Sequence, residues 1–72
     1  MKKEKRYILR NGEYYLSDLT WNCTEGQLTN FAMDREYKKY YDDIDTALED
    51  LKLIYIETGL MLKVEEYETK DN

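Results

Sequence analysis

The chain has no proline and no histidine, and only one cysteine and three glycines among its 72 residues. Each shortage excludes something. Without histidine, the commonest general base is missing, and with it the Ser-His and Cys-His nucleophile pairs and most zinc sites. A lone cysteine, Cys23, cannot close an intramolecular disulfide. It reads as a small packing residue or an idle thiol in a reducing compartment. Three scattered glycines make no phosphate-cradling loop. No stretch approaches the roughly 20 apolar residues of a membrane span; residues 51–62 come nearest and are interrupted by Lys52, Glu57 and Gly59. The basic start MKKEKR leads into no apolar leader segment, so Asn22-Cys23-Thr24 is taken as a chance match to a glycosylation sequon. With no linker, repeat or low-complexity tract, residues 1–72 read as one domain, with residues 1–4 and 69–72 frayed.

What is present is charge and tyrosine. The net charge of −5 is unevenly spread: residues 1–41 hold eight Lys/Arg against six Asp/Glu, and residues 42–72 hold three against ten. Eight tyrosines are more than one small core can absorb.

Residues 42–59 carry the strongest periodicity. Ile44, Ala47, Leu48, Leu51, Ile54, Tyr55 and Thr58 fall on one face of an α-helix. Asp42 or Asp43 supplies its N-cap, Asp45 suits the positive end of its dipole, and Gly59 closes it. Asp42, Asp43 and Asp45 lack the twelve-residue spread and central glycine of a calcium loop, so the cap is preferred to a metal site.

Upstream, KRYILR-NG-EYYLSD predicts a β-hairpin with Asn11-Gly12 as a type I′ turn. That register sets Arg10 against Glu13 and Lys5 against Asp18. It also gives a core face of Tyr7, Leu9, Tyr14 and Leu16, and leaves Ile8 and Tyr15 on a face that is solvated or covered by a partner. Leu19 and Trp21 extend the second strand, Glu25-Gly26 turns, and residues 27–33 form a third strand or an irregular crossing. Residues 34–41, DREYKKYY, are either a short strand or a helical turn. Residues 60–68 alternate Leu62 and Val64 with Lys63 and Glu65, as a half-buried strand does. The expected fold is α+β: three to four strands in a small antiparallel or mixed sheet, one helix on one face, order β-β-(β)-α-β. A right-handed crossover would place the last strand parallel to the first, in the order 4-1-2-3.

No catalytic constellation emerges, and a non-enzymatic protein without cofactor or metal is expected. Two surfaces point to protein binding. Asp45, Glu49 and Asp50 lie off the apolar stripe and can imitate the phosphates of a duplex toward a basic partner. Tyr15, Tyr37, Tyr40 and Tyr41 are candidates for an interface, where tyrosine is enriched. Arg35, Lys38 and Lys39, interleaved with tyrosines, offer a single-stranded nucleic-acid platform as the alternative. The flanking Asp34, Glu36, Asp42 and Asp43 make nucleic acid the weaker candidate. A homo-oligomer burying Ile8 and Tyr15 is a third choice.

KRYILRNGEYYLSDL at the start, DDIDTALEDL entering a helix, and the closing LKVEEYE together resemble the short phage and prophage proteins of Gram-positive, staphylococcal-type bacteria. The resemblance brings no functional residues with it. It implies a setting: the host cytoplasm, a small accessory gene, and a task of binding and redirecting or inhibiting a host or phage protein.

Overall fold

The structure, a computed structural model, describes residues 3–70, with side chains for residues 5–68. Strands β1 (Lys3–Asn11), β2 (Tyr14–Asn22) and β3 (Gln27–Asp34) precede helix α1 (Ile44–Thr58), and strand β4 (Lys63–Lys70) follows it. The strands form one antiparallel sheet in the order β3-β2-β1-β4. The α+β class, the single helix and the strand order are as expected. Lys3, Glu4, Thr69 and Lys70 lie in strands rather than in frayed tails, and the rest of the expected frayed ends lies outside the described residues.

Two expectations fail, and they fail together. The first is the hairpin register. Arg10 pairs with Tyr15 and Asn11 with Tyr14, so the turn residues are Gly12 and Glu13. Gly12 has φ +62° and no non-glycine residue among those described has positive φ, which suits a type II′ turn with glycine in its first central position. A type I′ turn would need Asn11 left-handed as well. Instead Asn11 stays extended, and its Nδ2 donates to the carbonyl of Met61 at 3.0 Å. The shift is two residues in the pairing sum, so each residue keeps its side of the sheet while the charge pairs are lost. Tyr14, expected in the core, stands beside the turn 43 % exposed and outside the core cluster. Arg10 meets Glu65 across β4 rather than Glu13, and Lys5 stands opposite Glu68 rather than Asp18. Gly12→Ala forces an L-residue into the left-handed region in open space. It should cost about 1 kcal/mol in urea unfolding.

The second failure is the crossover. β4 is antiparallel to β1, because residues 35–43 carry the chain back along the sheet before the helix starts. Asp34 begins that return by accepting the backbone N–H groups of Glu36 and Tyr37 on its carboxylate. The segment then enters between β1 and β2: Lys39 N–H donates to the Leu16 carbonyl at 2.7 Å, and Tyr41 exchanges both backbone hydrogen bonds with Tyr7 at 2.8 Å. The sheet is therefore forked. β1 and β2 pair directly at two residue positions beside the turn, and beyond them residues 39–41 fill the gap.

The helix is capped as the sequence demands. The Asp43 carboxylate accepts from Thr46 N–H at 3.2 Å, and Gly59, at φ +79°, donates its N–H to the Tyr55 carbonyl. Its Ala47 and Ile54 join Leu9, Leu16, Tyr41 and Leu62 in the core. A bulge between Leu16 and Asp18 lets Leu16 and Leu19 both face that core, with Phe31 and Met33 opposite on β3.

Candidate protein-binding surfaces

Strand alternation builds the first surface. Leu9 points into the core, so Arg6, Ile8 and Arg10 point to the side of the sheet away from the helix. Pairing sets Tyr67, Glu65 and Lys63 of β4 beside them, and Tyr15 of β2 beside Arg10. The returning segment adds Lys38 and Tyr40, while its alternate residues Lys39 and Tyr41 face inward. These long side chains roof Ile8, which is 1 % exposed although it lies outside the main core cluster.

The roof is organised by rings and cations. Arg10 Nη1 lies 3.0 Å from Glu65 Oε2, and its guanidinium lies 5.7 Å from the Tyr15 centroid. Lys38 Nζ stands 4.4 Å from the same ring. Arg6 lies over Tyr40 at 5.7 Å and 3.7 Å from Asp42. Tyr40 packs tilted against Tyr67, centroids 5.4 Å apart. Tyr40 and Tyr67 remain 40 % and 36 % exposed, so the layer is both ordered and accessible.

The second surface is the helix. Asp45 and Glu49 are exposed on its outer side, but Asp50 is not with them. It turns toward the sheet and accepts the Tyr41 hydroxyl at 2.5 Å. There it borders a groove with Leu19, Trp21, Lys39, Asp43 and Thr46. Burial first, then the Asp50 carboxylate as hydrogen-bond partner and as charge, raises the Tyr41 phenol above its ordinary value. The three acids named from sequence thus do not form one row.

The DREYKKYY cations are dispersed as well. Arg35 lies over Tyr14 at 5.2 Å, Lys38 over Tyr15 and Lys39 over Tyr41 at 5.4 Å. Tyr41 is core and Tyr37 is 73 % exposed. Asp34 has its carboxyl held below the usual range by the N–H of Tyr37, then that of Glu36. Arg6 and Arg10 were missed as site residues, although the alternation in KRYILR puts them on one face with Ile8.

Among the described residues no group of three His, Cys, Asp or Glu is placed to hold a metal ion, and Cys23 is a free, exposed thiol. No described helix is long and apolar enough to cross a membrane. No family model matches the chain, and neither a curated protein nor a solved structure matches it.

Proposed function

We propose that this is a non-enzymatic, phage-type accessory protein of the bacterial cytoplasm that binds a host or phage protein and modulates or inhibits it, and that the helix-free sheet face is its contact surface. The observation that carries this reading is the roof over Ile8: three tyrosines and three cations fixed against one another yet open to solvent. Tyrosine and arginine dominate interface hot spots. Side chains already held in place lose little entropy on binding. A base-stacking platform needs free ring faces. Here Tyr15 already has two cations within 6 Å of its centroid, and Tyr40 leans on Tyr67. Glu65 and Asp42 on this face would also repel phosphates. Duplex mimicry by Asp45, Glu49 and Asp50 loses its contiguous row.

Tagged wild-type protein and the variants Tyr40→Ser and Arg6→Ser, each checked for its fold by circular dichroism, test this in pull-downs from a Gram-positive lysate. A specific partner that withstands competing duplex DNA and falls at least about tenfold with either variant is the expected result. Retention of that partner by both variants overturns the assignment. A low-salt shift of single-stranded DNA or RNA that the same variants abolish gives the face to nucleic acid instead.

A further inference from the structure

Helix α1 is apolar over a wider arc than its own sheet covers. Ala47 and Ile54 are fully buried, but Ile44, Leu48 and Tyr55 remain 40, 37 and 49 % exposed, with Leu51 half-buried. These four recur at steps of four, three and four residues, the spacing of a seam between two packed helices. Met61, 57 % exposed, lengthens the patch beyond Gly59. Leu51, Tyr55, Ile56 and Met61, with the stem of Lys52, line a shallow apolar depression at its end. On the solvent-side flank of the seam stand Asp45 and Lys52, two helical turns apart. Both are exposed, and neither has a hydrogen bond or ion pair among the described residues that engages its side chain.

We propose that this seam is a homodimer interface: the helices of two copies pack antiparallel about a two-fold axis, with Asp45 of each beside Lys52 of the other. Charge selects the occupant and the register. A two-fold contact repeats every pair, so the surface must complement itself. Placing Ile44 against Tyr55 of the second copy, and Leu48 against its Leu51, brings opposite charges together twice. A parallel pairing in register would carry the Asp45 and Lys52 flanks of the two copies to opposite sides of the seam, each beside the other's sheet-facing flank, and leave both charges without a partner. Sliding the antiparallel pair so that Leu51 meets Tyr55 would set Lys52 against its own mate. The first leaves the charges unpaired and the second sets like charges together. Covering the seam residues and the apolar patch at its end withdraws on the order of 500 Å² per copy, against the ~800 Å² per partner of a specific interface. The flanking polar side chains supply much of the difference.

This goes beyond the proposed partner binding, which uses the other side of the sheet. The seam lies about a quarter turn from the buried stripe, so the two helices pack side by side. The helix-free faces of both copies then open in the same direction.

Sedimentation equilibrium of the full chain between about 1 µM and 1 mM reads the association directly. The wild type should shift from monomer to dimer, and Leu48→Asp should weaken that at least about tenfold. Asp45→Lys and Lys52→Asp should each weaken it about tenfold, and the double exchange should recover to within about threefold of wild type. Thermal melts check that these exposed substitutions keep the fold. Tyr40→Ser should dimerise like wild type, which separates this result from failure of the partner-binding face. A monomer at every concentration, a dimer indifferent to Leu48→Asp, or a double exchange no better than the single ones would overturn the proposal. So would a monomer whose captured partner is lost with Leu48→Asp, since the seam would then belong to that partner.

Discussion

Tyr41→Ala is expected to cost about 3–5 kcal/mol, the usual range for deleting a buried aromatic side chain. A domain of this size holds only about 4–11 kcal/mol in all, so a large share of its stability should be lost. The residue joins three parts of the structure. Its backbone completes the β1 side of the fork through two 2.8 Å hydrogen bonds with Tyr7. Its ring, 5 % exposed, fills the core between sheet and helix. Its hydroxyl donates to Asp50 on α1. Circular dichroism and urea titration check the loss; a midpoint close to wild type would mean that the fork closes without this wedge. Tyr41→Phe keeps the ring and loses only the charge-assisted hydrogen bond, for about 1–2 kcal/mol. It also isolates a pH effect. Because the phenol is raised in the folded state, its contribution is complete below pH 10, where Tyr41 is neutral in both states. Above pH 10 the unfolded chain ionises at Tyr41 and the folded one does not, so stability falls by up to about 1.4 kcal/mol per pH unit. The gap between wild type and Tyr41→Phe should therefore be flat up to about pH 9 and narrow above pH 10.

Local signals located the elements because each is written in a few adjacent residues. The Asp43 cap, the Gly59 stop and the period of α1 needed no knowledge of the rest of the chain. The turn glycines, Gly12 and Gly26, likewise marked both hairpins. What was not legible depended on a distant contact. Whether Asn11 sits in the turn or at a strand end is decided by the Met61 carbonyl, fifty residues away. Whether DREYKKYY is strand or helix has no local answer, because its structure comes from the gap between β1 and β2. That one insertion settles both the direction of β4 and the burial of Tyr41, which composition and position alone offer as an interface tyrosine. The sites were legible to the same extent. Tyr15 and Tyr40 remain on an open face, whereas Asp50 and Tyr41 proved to be partners of one another, a pairing set by where the returning segment meets α1. Composition had shown that tyrosine was in excess of the core's needs; only the sheet could show which ones pack over Arg6, Ile8 and Arg10.

Ile8→Ala should therefore damage stability and binding together. The side chain is buried on the face that sequence alone leaves to solvent or a partner, and what covers it is the roof of Tyr15, Tyr40, Tyr67 and the two arginines. Removing three carbons there leaves a void that the long side chains above can only partly fill. About 2–4 kcal/mol should be lost, toward the lower end if they collapse inward. Collapse has its own consequence. Rings that sink into the void lose their fixed separation from Arg6 and Arg10, so the preorganisation that favours partner binding goes with them. Partner capture should then fall well beyond the fraction unfolded, measured on protein that circular dichroism shows to be folded at the assay temperature. Ile8→Val, which removes one carbon, should cost about 1 kcal/mol and leave capture near wild type. The two variants also separate a packed roof from a solvated one. If Tyr40 and Tyr67 merely rested in water above the sheet, Ile8→Ala would cost under about 1 kcal/mol, as exposed substitutions do, and urea midpoints for the pair would coincide.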